Sequence, residues 1–412
     1  MDRSTITLLE YGTTEVALSA EVYALLRSRY SKQLEIAHTG REGVYKVTAR
    51  DYVGRISLPG GGLLVIRPKV SVGNLFYMLC VDAGLADFHP PPTGLRADEE
   101  IFPFVLSALL NAIERVVAGG LYRDYNRREE RLPYVRGRIL LGEQARHGWL
   151  HHLHTCAYAE HSPDTPENRV LAATLRLLPA LLRRHEAEER LAARARGLLR
   201  HFNGVTIVRR AEAVALLPRL RVHRLNALYG PALALCGLAL RGLTLNEQAG
   251  AHPYASFLVQ MPRLFESFLT RRLARLLPPY GLRVVAQRHD YLDEERKVGI
   301  RPDVLIYAAR GRNPLLVLDA KYRRADGPDS DPNRDLYQVS AYLDRYGLQQ
   351  GVLVYPRFEG DEGARMKLRG TPKRLHLLTL NLGAPTPALL DAECAELAEQ
   401  VSQLATIPAH SG

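Results

Sequence analysis

Arg301-Pro302-Asp303-Val304-Leu305-Ile306-Tyr307 and, one loop later, Pro314-Leu315-Leu316-Val317-Leu318-Asp319-Ala320-Lys321 are the stretches on which the fold turns. Each is a short apolar run bounded by Pro and carrying a carboxylate at one end, the pattern of a buried strand. Side chains alternate along a strand, so Asp319 and Lys321 share a face. A lysine turned inward after Leu315-Leu316-Val317-Leu318 has no ready structural explanation. If the two strands are neighbours, Asp303 and Asp319 meet with Lys321 beside them.

Working outward, a helix is expected over Met261–Leu277, stopped by Pro278-Pro279, and a strand over Leu282–Gln287. The charged stretch Asp293-Glu294-Glu295-Arg296-Lys297 reads as a turn. After the two strands come a helix over Asp335–Tyr346, a strand over Gly351–Tyr355 and another over Leu375–Leu380. Helix, three strands, helix and strand make an α/β unit with a mixed central sheet, assigned to residues 251–412.

The remainder divides into a strand-rich N-terminal part, 1–92, and a mainly helical middle region, 93–250. Together they give a multidomain α+β N-terminal part with a helical middle region, followed by the α/β domain. Val53–Leu58 and Leu63–Ile66 read as a hairpin turning at Pro59-Gly60-Gly61-Gly62. Helices are expected at Ala20–Arg29 and Val72–Cys80, and His89-Pro90-Pro91-Pro92-Thr93-Gly94 breaks regular structure. In the middle region, Ile101–Val117 and Asn226–Leu243 read as apolar helices. Asn168–Leu199 reads as a long helical stretch broken near Pro179, and Tyr134–Leu141 as an extended basic segment.

The 412 residues are too many for one ordinary core, and two or three domains are expected. A net charge of +11, with Arg far outnumbering Lys, favours a polyanionic partner. Cys80, Cys156, Cys236 and Cys394 form no CxxC pair, which argues against a zinc ribbon or a disulfide framework and suits a reducing cytoplasm. Glu10 and Glu15 interrupt any signal-peptide core, and the apolar stretch Pro231–Leu240 is too short to span a bilayer. A cytoplasmic protein is expected.

Two carboxylates and an inward lysine suit metal-dependent phosphodiester hydrolysis, which needs a held cation, an activated water and positive charge near the phosphate. Mg²⁺, with Mn²⁺ as a substitute, takes oxygen ligands. Asp303, Asp319 and the Ala320 carbonyl supply them, and Lys321 can reach the water or the phosphate. Glu266 lies on the shoulder of the buried face set by Leu264, Phe265, Phe268, Leu269, Leu273 and Leu276, from which it can lean toward the metal. Gln338 and Tyr342 are four apart on one helix face; Gln338 can orient water or Lys321, and Tyr342 can hydrogen-bond a phosphate or brace the helix. Singly these residues have plainer readings: a turn aspartate, an edge-strand ion pair, a solvated helix glutamate. Their order and spacing together favour the nuclease reading.

Glu266, Asp303, Asp319-Ala320-Lys321 and Gln338-Val339-Ser340-Ala341-Tyr342 resemble the PD-(D/E)XK nuclease superfamily, in the QxxxY variant of RecB-like members. Three upstream segments narrow the resemblance to the McrC family, nuclease subunits of McrBC modification-dependent restriction systems. They are Leu64–Lys69 with Asn74–Leu79, Val135–Ile139, and Ser162–Arg169; Phe257–Phe268 is similar to that family's entry into its nuclease domain. The resemblance implies an endonuclease that cuts DNA when engaged by a hexameric AAA+ GTPase ring of McrB type, stimulates that ring's hydrolysis, and leaves recognition of modified DNA to it. It also implies pairing of two such subunits through the nuclease region, so that both strands are cut. Independently, the chain has no G-x-x-x-x-G-K-[S/T] loop, so no nucleotide is expected to bind it. Arg67, Lys69, Arg136 and Arg138 are weak candidates for partner contact.

Other signals read more plainly. His147, His151, His152, His154, Cys156 and His161 fit no zinc-finger spacing and read as a polar, exposed segment. Gly60-Gly61-Gly62 lacks the helix and lysine of a phosphate loop. The arginine runs at 183–184 and 194–200 read as solvated helix faces, and His289 and Asp290 have no assigned role. Two rivals stand beside the main reading: a free-standing RecB-like repair nuclease, and a ring-binding activator in which cutting matters less.

Overall fold

The computed structural model describes residues 5–85, 100–146, 152–182, 186–246, 254–323, 332–357, 364–367 and 372–406. Residues 1–102 and 256–412 pack as one unit, residues 103–255 as another. The first unit begins with β1 (Thr5–Leu9), β2 (Thr13–Ala17), α1 (Ala20–Arg29), β3 (Leu34–His38), β4 (Val44–Ala49), β5 (Tyr52–Ser57), β6 (Leu63–Arg67) and α2 (Val72–Asp82). The expected hairpin is present: β5 pairs antiparallel with β6, Ser57 opposite Leu63, and a 3₁₀ turn over Pro59–Gly61 joins them. β1 adds parallel to β6, and β2, β4 and β3 form a second small sheet. Leu8, Leu26, Leu34, Val47, Ile56, Leu64 and Ile66 fill the space around them. Ser19 and Ser71 cap α1 and α2 by accepting from Val22 N and Asn74 N, which occupies amide groups a helix start leaves open.

The second unit carries most of α3 (Ile101–Ala118), then β7 (Asp124–Leu132), β8 (Arg138–Ile139), α4 (Leu141–Arg146), β9 (His154–Ser162), α5 (Pro166–Leu181), α6 (Glu186–Leu199), α7 (Arg210–Leu216), α8 (Tyr229–Gly242) and β10 (Leu243–Asn246). Four sequence expectations are corrected here. The basic segment 134–141 is extended only at β8, because Leu141 already opens α4. The break near Pro179 falls later: α5 runs through Pro179 to Leu181, although the proline has no N–H to give the carbonyl one turn back, and the helix ends two residues beyond it. The histidine-rich segment is a half-buried strand, β9, paired along its length with β7, and Cys156 and Tyr158 face inward. The helix expected from Asn226 starts at Tyr229, after a 3₁₀ turn over Arg224–Asn226. His147, His151, Arg183 and Arg184 lie outside the described residues, as do 89–94.

Ser162–Arg169 is the joint of this unit. Asp164 takes both Arg169 Nε and a terminal guanidinium nitrogen at 2.8 Å, and accepts from Thr206 N and Oγ1 at 2.9 Å. Asn168, fully buried, donates to the carbonyls of Tyr122 and Pro163 at 2.8 and 2.7 Å and accepts from the Tyr229 hydroxyl at 2.6 Å. Among the described helices only α3 is long and apolar enough to cross a membrane, and 56% of it is buried within the protein.

The first unit resumes with β11 (Tyr254–Gln260), which pairs antiparallel with β5. Gly54 of β5 sits at φ +127°, and a Cβ there would come within 2.1 Å of the Phe257 carbonyl oxygen. Next come α9 (Met261–Leu276), β12 (Leu282–Ala286), β13 (Asp290–Tyr291), β14 (Gly299–Ile300), β15 (Val304–Ala308), β16 (Pro314–Ala320), α10 (Pro332–Tyr346), β17 (Gln350–Arg357), β18 (Ala364–Lys367), β19 (Arg374–Asn381) and α11 (Pro387–Thr406). The sheet order is β12-β15-β16-β17-β19-β18; β16, β17 and β19 run parallel, and the other neighbours are antiparallel. The expected mixed sheet is therefore present. β17 is buried on both faces, as its unbroken apolar run Val352-Leu353-Val354-Tyr355 requires.

Candidate active site

The register that sets Val304 opposite Leu318 places Asp303 as the next residue opposite Asp319. Asp303 Oδ2 accepts from the Ala320 amide at 2.8 Å, so the Ala320 N–H is directed to the β15 side of β16. A strand residue points its carbonyl to the same side as its N–H, which directs the Ala320 oxygen toward Asp303 as well. The Lys321 amide is directed the other way, donating to the Val354 carbonyl of β17 at 2.9 Å.

Asp319 is 1% exposed and forms an ion pair at 2.6 Å with the Lys321 ammonium. Lys321 Nζ also donates to Gln338 Oε1 at 2.9 Å, and Gln338 Nε2 donates to the Tyr342 hydroxyl at 2.7 Å. Glu266 of α9 accepts from Gln287, whose own oxygen accepts from Arg301. Asp303, Asp319, Lys321, Gln338 and Tyr342 thus come together, and Glu266 lies near enough for its charge to act on both aspartates. Burial raises both aspartates: Asp303 is pushed up to about 8, with the charges of Asp319 and Glu266 adding to the effect. Asp319 is raised by burial too, against the opposing pull of Lys321. Burial also raises the Tyr342 hydroxyl to about 12, so it remains a neutral hydrogen-bonding group.

Carboxylates crowded this way resist ionising together, and a cation held between them removes that cost. The donors are all oxygens, the set that suits Mg²⁺. Among the described residues no three His, Cys, Asp or Glu side chains are grouped closely enough to hold a metal unaided. Two carboxylates completed by a backbone oxygen and water fit this arrangement.

Sequence reasoning missed two further groups. Asp335, in the first turn of α10, is 3% exposed beside Lys321, and its signal was its place three residues before Gln338 on the same helix face. Tyr322, next to Lys321, points to the opposite side and donates to Glu10 Oε2 at 3.3 Å, while the Tyr11 hydroxyl donates to the Tyr322 carbonyl. No local pattern announces a contact between residues so far apart in sequence. The partner-contact candidates lie elsewhere. Arg67 and Lys69 are exposed at the end of β6, with the Lys69 ammonium 4.8 Å from the Tyr11 ring centre. Arg136 and Arg138 are exposed in the second unit, the Arg136 guanidinium 3.9 Å from the Tyr158 ring centre.

Comparisons with known proteins place the chain in a family. The chain is 23% identical over 350 residues to the type IV methyl-directed restriction enzyme EcoKMcrBC of Escherichia coli (strain K12), covering 78% of this chain and 96% of that protein. Its fold matches a chain in a refined half-complex from the tetradecameric assembly of Thermococcus gammatolerans McrB AAA+ hexamers with bound McrC. That match has a TM-score of 0.62 at 19% identity, over 97% of this chain and 100% of the other. A second Thermococcus gammatolerans structure, a cryo-EM McrBC complex, is similar over 66% of this chain and 88% of that chain, at 21% identity and a TM-score of 0.45. The family model described as McrBC 5-methylcytosine restriction system component matches residues 47–356, and the chain belongs to that family.

Proposed function

We propose that the chain is the Mg²⁺-dependent endodeoxyribonuclease subunit of an McrBC-type restriction system, with residues 251–412 as a PD-(D/E)XK domain. In this reading it cuts DNA while engaged by an AAA+ GTPase ring of McrB type and stimulates that ring's hydrolysis. The observation that carries the nuclease half is the approach of Asp303, Asp319 and Lys321 at adjoining strand ends. The partner half is supported by family membership and by the likeness to a chain in a complex of McrB hexamers with bound McrC. Exposed Arg67, Lys69, Arg136 and Arg138 are candidate contacts to the ring.

Asp303, Asp319 and the Ala320 carbonyl would hold the cation, which when bound supplies Lewis acidity to the phosphodiester and to the attacking water. Lys321 donates to a non-bridging phosphate oxygen and offsets the charge that builds there as water attacks phosphorus. The bond to the leaving deoxyribose oxygen then breaks, and that oxygen takes up a proton. Gln338, itself held by Tyr342, keeps the Lys321 ammonium aimed. Glu266, anchored through Gln287, adds negative charge that favours the cation and can accept a proton from water.

Asp319→Ala and Lys321→Ala should each lower turnover by about 10²–10³-fold or more while the protein folds and still binds the ring. Asp319→Ala relieves a crowded buried carboxylate and should not lower the melting temperature. Cleavage at the parental rate by purified Asp319→Ala would sink the nuclease reading. Efficient cutting by the chain without any ring would favour a free-standing nuclease instead.

A further inference from the structure

Asp335 is a buried charge with no part in the chemistry above, and buried carboxylates persist only where they are paired. One oxygen, Oδ2, accepts from the Tyr355 hydroxyl of β17 at 3.1 Å and from the Arg323 guanidinium. These two contacts would suffice for a purely structural ion pair. The other oxygen, Oδ1, instead faces the Lys321 ammonium at 3.8 Å. Asp335, Gln338 and Tyr342 stand at i, i+3 and i+7 on α10, forming one stripe along the helix face turned to Lys321. Lys321 and Arg323, two apart, reach this stripe from one side of the strand end, and Tyr322 turns to Glu10 on the other.

We infer that Asp335 is a positioning residue that fixes Lys321 in its working orientation, and this rests on the nuclease reading. Lys321 has three polar neighbours: Asp319 at 2.6 Å, Gln338, which accepts a hydrogen bond at 2.9 Å, and Asp335, a charge neighbour at 3.8 Å. Asp319 has a second claim on it as a proposed cation ligand, and Gln338 is uncharged. Asp335 is the one anionic neighbour of the three that is free of the cation. Tyr355 and Arg323, by holding Oδ2, fix the direction in which Oδ1 points. The arrangement aims Lys321 along a line set by α10 and β17, independent of how Asp319 is engaged.

The test uses the full chain with its ring partner, modified DNA and either Mg²⁺ or Mn²⁺, and compares Asp335→Asn with Tyr355→Phe. Asp335→Asn keeps the size of the side chain and removes its charge. It should lower kcat about 10- to 100-fold while KM for DNA and the chain's calorimetric affinity for Mn²⁺ stay within about twofold. Tyr355→Phe loosens the carboxylate without removing it and should lower kcat by about three- to fivefold with the same split. Retention of kcat within twofold by Asp335→Asn overturns the inference. So does a fall in Mn²⁺ affinity that matches the fall in rate, since Asp335 would then be a ligand. Should Asp335→Asn fail to fold, Tyr355→Phe decides: a lower kcat at unchanged melting temperature supports the positioning role, and an unchanged kcat overturns it. Asp319→Ala measured alongside separates the two questions, because parental cutting by that variant removes the nuclease reading itself.

Discussion

At the scale of single residues, two carboxylates outside the Asp303–Asp319 pair are shifted in opposite directions, and each sets a pH dependence. Glu10 is 1% exposed, and burial pushes it up to about 7 from an ordinary 4.5, against the partial relief of its bond from the Lys69 amide. Between those values the folded chain holds a proton the unfolded chain has lost, so stability falls as pH rises through the window. Relative to Glu10→Gln, the parent should lose about 2–3 kcal/mol between pH 5 and pH 8 in denaturant titrations. Parallel stability curves would remove this account of Glu10. Asp164 runs the other way: hydrogen bonds from Arg169 first, then from Thr206, lower it to about 2 from 3.8. Its contribution, about 2 kcal/mol, is complete above pH 4 and lost as pH falls toward 2. Asp164→Asn should therefore flatten the acid limb of the stability curve; an unchanged acid limb would show that the Arg169 bond has no such effect.

At the scale of elements, legibility followed burial pattern. β5, β6, β15, β16 and β17 were readable because both faces are largely buried and each run is punctuated by Gly, Pro or a charge. β7 escaped notice because its alternation is of charged residues, Asp124-Tyr125-Asn126-Arg127-Arg128-Glu129-Glu130-Arg131, with little apolar face to betray a strand. α11 is different. Its buried Leu390, Cys394, Leu397, Val401 and Leu404 recur at four- and three-residue steps, a helical signal fully present in the sequence. The candidate site was legible where chemistry and spacing coincide, at Asp303, Asp319 and Lys321. Tyr322 was hidden because its partner Glu10 comes from a distant element, and Asp335 was marked only by its spacing to Gln338. The Gly54 contact was equally invisible, although it fixes how β11 docks. Gly54→Ala forces a Cβ against the Phe257 carbonyl at a φ that disfavours side chains, and should cost more than about 3 kcal/mol. A loss under 1 kcal/mol in thermal or urea melts would mean that β5 and β11 part without difficulty.

At the scale of the whole molecule, the sequence suggests three successive parts, whereas the packing joins residues 1–102 and 256–412 into one unit. The join is built from buried groups. Asn74 of α2 donates to the carbonyls of Leu382 and Ala384 at 3.0 and 2.7 Å, and the Tyr77 hydroxyl donates to Asp391 at 2.8 Å. Asp391 also pairs with Arg272 of α9, and the Tyr77 ring meets Phe268 edge-on at 5.8 Å. Phe265 of α9 packs beside Tyr322, which Glu10 holds from the N-terminal sheet. A fragment of residues 256–412 would lose β5 and α2 together, uncovering Phe257 and Phe268 and leaving Arg272 and Asp391 without Tyr77. Re-exposing one such aromatic side chain costs about 1.5–3 kcal/mol, and a domain has only about 5–15 kcal/mol in all. The fragment should therefore lack a cooperative melting transition and bind a hydrophobic dye. The full chain should melt sharply, and Asn74→Ala should weaken it by about 2–3 kcal/mol by stranding two buried carbonyls. A fragment that unfolds in one sharp transition near the full chain's temperature would show that the six-stranded sheet stands by itself, and that the N-terminal elements are packed on it without being needed to hold Asp303, Asp319 and Lys321 in place.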